Sequence, residues 1–180
     1  MMSQNKIVLL DRDGTIIVNK HYLSEPNQVE FIPGAIQGMK VMQDNGYLLA
    51  IISNQSGVGR GFFTENDVKE VNSRLVKLLS ENGIKISSVH YCPHGPDDNC
   101  DCRKPRPGML FETIEELSGD PKKVWMVGDN KADIEAGQNA GVNTILVRTG
   151  YGTEVEAKGN CKPDFIADDL IEVANLVKKK

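Results

Sequence analysis

Short apolar runs alternate along this chain with longer amphipathic stretches, beginning with the run from Ile7 to Leu10. That alternation predicts repeated strand and helix units, with helices packed on both faces of a parallel sheet. Strands are expected over residues 6–11, 47–53, 86–91, 124–127, 144–147 and 165–167, and helices over 34–45, 65–82, 108–117, 132–140 and 170–178. Thr64, three residues before Asp67, reads as a helix N-cap, and Gly46, Gly83 and Gly141 stand where helices should stop. No repeat or linker divides the sequence. The expectation is therefore one α/β domain over residues 1–180, built on a Rossmann-like parallel sheet.

In such a sheet, ligands bind outside the carboxyl ends of the strands, near the point where strand order reverses. The residues just beyond each apolar run are thus the ones to inspect. Asp11 and Asp13 follow the first run in "IVLLDRDGTI", Ser53-Asn54-Gln55 follows the second, and Gly128-Asp129 follows the fourth. Two carboxylates one residue apart repel, so they call for a cation, a shared proton or a chemical task. A polar turn is the plain alternative, since Asp-Gly is ordinary turn material. If Asp11, Asp13 and Asp129 converge, a hard divalent cation resolves the repulsion, and a site with few carboxylates and room for water and phosphate oxygens suits Mg²⁺. Beside such a cation Asp11 can serve as a nucleophile toward phosphorus. Ser53 can donate to the transferring group, Lys104 can neutralise its oxygens, and Asp133, four residues after Asp129, can hold Lys104 in place. Asp13 is suited to protonate the leaving oxygen, which requires its pKa to rise above about 3.9. Each residue also has a structural reading: Asp129 as a helix cap, Ser53 as a partner for a loop amide, Lys104 as an exposed cation.

Composition narrows the classes. With 180 residues, 39% hydrophobic and 26% charged, the chain is long enough to bury a core. Its net charge of −4 argues against a nucleic-acid surface. No run approaches the roughly 18 apolar residues needed to span a bilayer, so a soluble cytoplasmic protein is expected. Lys178, Lys179 and Lys180 read as a solvated helix end.

The string "CPHGPDDNCDCRKP" sets Cys92, His94, Cys100 and Cys102 within eleven residues. Three thiolates and an imidazole make a closed tetrahedral set for structural Zn²⁺. A Cys92–Cys102 or Cys92–Cys100 disulfide is the alternative, disfavoured in a reducing compartment. Cys161, far from the others, reads as a lone thiol. The metal loop runs directly into Arg103 and Lys104, and it has little apolar content of its own, so a bound metal would supply its folding energy. "SGVGRG", with glycines at 57, 59 and 61, lacks the spacing of a dinucleotide fingerprint. It reads as a flexible substrate loop, with Arg60 available to meet a phosphate or to remain a surface charge.

Taken in order, "DRDGT", "SNQ", "RKP" and "GDNKAD" resemble the four motifs of the haloacid dehalogenase-like phosphatases, over residues 7–147. The resemblance implies that Asp11 becomes an aspartyl-phosphate, that Asp13 is the general acid and base, and that Ser53 and Lys104 stabilise the phosphoryl group. It also implies Mg²⁺ held by Asp11, the Asp13 carbonyl and Asp129. Only 39 residues separate Asp13 from Ser53 and 50 separate Ser53 from Lys104, so no sizeable cap domain fits. Loops must close the crevice, including residues 18–33 and the zinc loop.

Capless members with a zinc loop include phosphatases for a heptose bisphosphate and for histidinol phosphate. The strings "SNQSGVGRGFFT", "CRKPRPGML" and "VRTGYG" resemble the first kind, whereas the length of the zinc loop matches the second. By the first resemblance, Asn19, Lys20, His21, Tyr22, Ser53, Asn54, Gln55, Ser56, Arg103, Lys104 and Asn130 contact a small sugar bisphosphate, with Arg103 on the phosphate that stays. A phosphotransferase or mutase would need a cap to exclude water, and a non-catalytic metal-stapled module would not need Asp11. No partner beyond the substrate is expected, and the protein is expected to be a monomer.

Overall fold

The computed structural model describes residues 4–179, so Lys180, expected at the end of the last helix, lies outside them. The strands are β1 (Asn5–Leu10), β2 (Tyr47–Asn54), β3 (Ile86–Cys92), β4 (Gly119–Gly128), β5 (Asn143–Val147) and β6 (Phe165–Ala167). The helices are α1 (Ala35–Asp44), α2 (Glu65–Glu81), α3 (Gly108–Glu116), α4 (Lys131–Ala140), α5 (Gly152–Lys158) and α6 (Leu170–Lys178), with a 3₁₀ turn at Pro26–Gln28. All strand pairs are parallel, in the order β3-β2-β1-β4-β5-β6.

Alternate residues of each strand point to opposite faces, and both faces are covered. Val8, Leu10, Leu49, Ile51, Trp125 and Val127 enter one core with residues of α1, α2 and α6. Ile7, Leu9, Ala50, Ile52, Val124 and Met126 enter a second core with residues of α3 and α4. Burial on both sides is why these strands read as continuous apolar runs in the sequence.

From β1 the chain steps outward through β2 to β3, then returns to lay β4 on the other side of β1. Strand order reverses there, so the crevice opens beyond the carboxyl ends of β1 and β4. Register aligns those ends: Leu10 sits opposite Ile51 on one side and Val127 on the other, and the Asp11 amide donates to the Val127 carbonyl at 2.9 Å.

Thr64 caps α2 as expected, its hydroxyl accepting from the Asp67 amide while the Asp67 carboxylate accepts from the Thr64 amide. Two elements depart from the sequence expectation. Strand β4 begins at Gly119 rather than 124, because Gly119 pairs with Asn5 across a register shift, and its first residues are polar and largely exposed. Helix α5 was not foreshadowed by the apolar pattern: it is short and buries Gly152 and Val155. Between Asp13 and Ser53 lie a loop, the 3₁₀ turn, α1 and β2, and between Ser53 and Lys104 lie a loop, α2, β3 and the cysteine-rich segment. No cap domain is inserted among the described residues. Nor is any of their helices long and apolar enough to cross a membrane.

Candidate active site

At the switch point Lys104 joins two strands and a helix. Its Nζ donates to Asp11 Oδ1 at 2.7 Å and to the Ile52 carbonyl at 2.7 Å, and pairs with Asp133 Oδ1 at 2.6 Å. All three donors of a buried ammonium are thereby satisfied. Asn54, the last residue of β2, fixes the Lys104 backbone: its side chain accepts from the Lys104 amide and donates to the Lys104 carbonyl, both at 3.0 Å. Asp133 lies in the first turn of α4, where its Oδ2 also accepts from the Asn130 amide at 3.0 Å. That reciprocal cap, with the Ala132 amide donating to Asn130 Oδ1, sets the start of the helix. Asn130, rather than Asp129, is thus the N-cap.

Asp129 is held from the β5–α5 loop, its Oδ2 accepting from the Tyr151 amide at 2.8 Å. Gly14 and Gly150 lie so close that a Cβ on either would overlap this carboxylate, so both positions need glycine for the approach as well as for their positive φ. Asp11, Asp129 and Asp133 are all buried, and each brings a carboxylate oxygen within 4.8 Å of the other two. Three carboxylates against one ammonium leave the cluster two negative charges in excess. Burial is the main force pushing Asp11 up to about 7, with Lys104 opposing and Asp133 and Asp13 adding to the rise. Burial likewise pushes Asp129 up to about 8, reinforced by Asp11 and Asp133. For Lys104, burial opposes the charge, but Asp11 and Asp133 outweigh it and hold its pKa above the ordinary value. A divalent cation is the charge that this arrangement lacks. Octahedral Mg²⁺ with bonds of about 2.0–2.1 Å requires ligand oxygens roughly 3–4 Å apart, which carboxylates this close can supply.

The Asp13 carboxylate does not join that cluster. Arg12 Nε donates to its Oδ2 at 2.9 Å and Gln55 Nε2 to the same oxygen at 3.0 Å. Asp13 lines the same crevice as Asp11 and Asp129, with its carboxylate held toward Arg12 and Gln55, while Asp133 completes the tighter group of three carboxylates. Arg12, fully buried, is itself anchored by donation to Asn72 Oδ1 of α2 at 2.8 Å. Gln55 also donates to Ser53 Oγ at 3.2 Å, so one side chain links that hydroxyl to the Asp13 carboxylate, although Ser53 itself is buried and not among the residues that line the crevice.

The crevice, of about 310 Å³, is lined by Asp11, Asp13, Asn19, Asn54, Ser56, Arg103, Lys104, Asp129 and Asn130, together with Asp133, Ala132 and Tyr151. A side cavity of about 210 Å³ adds His21, Tyr22 and Gln55. Lys20 is not among the lining residues and pairs with Glu30 at 2.9 Å. Arg103 Nη1 donates to the His94 carbonyl at 3.3 Å, which ties it to the metal loop. Arg60 is exposed. A larger groove between α2 and β3, about 640 Å³, is lined by Lys69, Val76, Lys77, Val89 and Tyr91 among others and holds no convergent carboxylates. The sequence reading missed Thr149 and Tyr151. The Thr149 hydroxyl donates to the Gly14 carbonyl at 2.7 Å, and with the Tyr151 amide it pins the loop after β1 and Asp129 together. The available signal was "TGYG" directly after an apolar strand, on the same edge of the sheet.

Cys92, His94, Cys100 and Cys102 converge, each offering one ligand atom within 4.8 Å of the rest. Cys92 Sγ lies 3.4 Å from His94 Nδ1, 3.8 Å from Cys100 Sγ and 3.1 Å from Cys102 Sγ, and His94 Nδ1 lies 3.2 Å from Cys102 Sγ. Tetrahedral zinc with Zn–S bonds near 2.3 Å calls for edges of about 3.5–3.8 Å, so the four could hold that ion after small adjustments. All four cysteines of the chain are free thiols, so neither alternative disulfide is present. Burial and the neighbouring Cys102 push the Cys92 thiol up to about 12, and a thiolate there needs a bound cation.

A family model described as HAD-hydrolase-like matches residues 101–173. The D-glycero-β-D-manno-heptose-1,7-bisphosphate 7-phosphatase of Haemophilus ducreyi is 38% identical over 180 residues, covering 96% of this chain and 98% of that protein. Its counterpart in Pasteurella multocida is 36% identical, covering 96% and 97% respectively. Among solved structures, D,D-heptose 1,7-bisphosphate phosphatase from B. bronchiseptica, complexed with magnesium and phosphate, superposes with a TM-score of 0.90 at 31% identity, covering 97% of this chain and 98% of that one. Near-complete coverage at this identity, on the same fold, leads to one assignment. The chain belongs to the family of the D-glycero-D-manno-heptose 1,7-bisphosphate 7-phosphatases, within the haloacid dehalogenase-like hydrolases.

Proposed function

We propose that the protein is a Mg²⁺-dependent phosphatase that removes the 7-phosphate of D-glycero-D-manno-heptose 1,7-bisphosphate through an aspartyl-phosphate. The single observation that carries the reading is Lys104 shared between Asp11 and Asp133, with Asp129 alongside, at the switch point of the sheet. Asp11, the Asp13 carbonyl and Asp129 would hold the metal. When bound, Mg²⁺ offsets the repulsion between a phosphate dianion and an attacking carboxylate.

Asp11 attacks phosphorus through a carboxylate oxygen, and the bond from phosphorus to the sugar oxygen breaks. Asp13 gives its proton to that oxygen, so the sugar leaves as an alcohol. As Asp11 becomes an acyl phosphate its bond from Lys104 is released, and that donor, with the Ser53 hydroxyl, turns to the phosphoryl oxygens. Asp13, now a carboxylate, takes a proton from water as the water attacks phosphorus, which releases inorganic phosphate and frees Asp11. Arg103 holds the phosphate that stays, its planar fork matching two phosphate oxygens, and Asn19, His21, Tyr22, Asn54, Gln55, Ser56 and Asn130 surround the sugar. The chain acts in this reading as a single capless catalytic domain and a monomer, in a reducing compartment where the metal-binding thiols stay free.

The test is a panel of the α and β heptose bisphosphates, histidinol phosphate and small phosphate esters, assayed with Mg²⁺. The β heptose bisphosphate, substrate of the named relatives, is expected to be turned over fastest. Asp11→Asn should fold normally, yet lose turnover by at least about 10³-fold. Preference for histidinol phosphate, or an active Asp11→Asn protein, would overturn the assignment.

A further inference from the structure

Two adjacent non-glycine residues, His21 and Tyr22, hold left-handed backbone, with φ of +46° and +66°. Such conformations persist only where the surroundings fix them. Here the His21 amide donates to Asn19 Oδ1 at 3.1 Å, the rings of His21 and Tyr22 meet edge to face at 4.5 Å, and the Tyr22 ring meets that of Phe62 edge to face at 4.8 Å. Phe62 is 61% exposed, so burial in a core does not explain its place.

The segment that carries Phe62 is held from its other side. The Gly59 amide donates to the Pro93 carbonyl at 2.8 Å, and a side chain at Gly59 would run into the backbone of His94 and Gly95. Residues 57–63 therefore bridge the metal loop and the Tyr22 loop. His21 and Tyr22 wall the side cavity together with Asp13.

We infer that Phe62 is a positioning residue for substrate: it holds Tyr22, and so fixes the wall beside Asp13 against which the carbon chain of the substrate lies. The role rests on the phosphatase reading above.

Phe62→Ala and Phe62→Tyr test it by two readouts. Without substrate, amide hydrogen exchange at residues 19–24 should accelerate in Phe62→Ala and stay near the parent rate in Phe62→Tyr, which keeps the ring. In kinetics, Phe62→Ala should raise KM for the heptose bisphosphate roughly two- to twelvefold, the range one aromatic edge contact carries. Its kcat should stay within about twofold, and turnover of acetyl phosphate, too short to reach the wall, should not change. Unchanged exchange in Phe62→Ala overturns the inference, as does a KM rise shared equally with acetyl phosphate. Should the parent protein leave the heptose bisphosphate untouched, the substrate assignment falls, and the exchange comparison still decides whether Phe62 holds the loop.

Discussion

Lys104 uses every donor it has inside the protein, which makes it the residue whose loss the site tolerates least. Replacing it with Met leaves Asp11 and Asp133 buried without their counter-charge. We expect Lys104→Met to abolish turnover and to lower the unfolding free energy by about 3–5 kcal/mol in denaturant melts. Arg103 should behave differently, since it faces the crevice and, among the described residues, its side chain bonds only a loop carbonyl. Arg103→Ala should lower kcat/KM for the bisphosphate roughly 10- to 150-fold, the worth of a charge-assisted contact, and leave a simple monophosphate within about threefold. Equal losses on both substrates would remove Arg103 as the anchor of the retained phosphate. At this scale the sequence showed which polar residues follow strands, but not which way they turn. Asp13 sits two positions from Asp11, yet its orientation is decided by Gln55 and by Arg12, which is itself anchored on Asn72, 60 positions further along the chain.

At the scale of elements, legibility followed apolar content. Strands β1 and β2 and helices α2 and α6 carry long apolar runs or stripes and appear close to where the pattern puts them. The opening of β4 and the whole of α5 do not, because backbone pairing to Asn5 and a few buried atoms define them rather than a hydrophobic face. The metal loop is the opposite case: it has no repeating pattern, but its chemistry is readable from four residues. Since that loop leads into Arg103 and Lys104, stripping zinc with a strong chelator, then removing the chelator and restoring Mg²⁺, should accelerate hydrogen exchange over residues 92–104 and raise KM for the bisphosphate, with little change in helix content by circular dichroism. Added Zn²⁺ should reverse both effects and added Mg²⁺ neither. Loss of all helical signal on chelation would show that the metal supports far more than the loop.

For the whole molecule, the carboxylate cluster links stability to pH. Asp11 and Asp129 have pKa values raised to about 7 and about 8 in the metal-free fold, whereas the unfolded chain binds those protons only below about pH 4. Between these limits the folded state holds more protons than the unfolded one, so the stability from this pair is complete below about pH 4 and is lost as pH rises through 7 to 8. Mg²⁺ would be held by the ionised carboxylates and should restore what is lost. In zinc-loaded, magnesium-free protein, the rise in Tm on adding Mg²⁺ should therefore grow from pH 5 to pH 8.5. An increment that is flat or shrinks with pH would mean that the two carboxylates are not the ligands.

The strand order also governs when the catalytic crevice comes into existence. β1 is made first yet lies at the centre, with β2 on one flank and β4, more than a hundred residues later, on the other. A ribosome-bound chain that has emerged only as far as α3 carries Asp11 on a half-covered strand, with an open edge and no Asp129 to face it. Synthesis must pass β4 and the start of α4 before that edge is sealed and Asp129 and Asp133 can join Asp11, so covering β1 and gathering the acidic centre draw on the same stretch of chain.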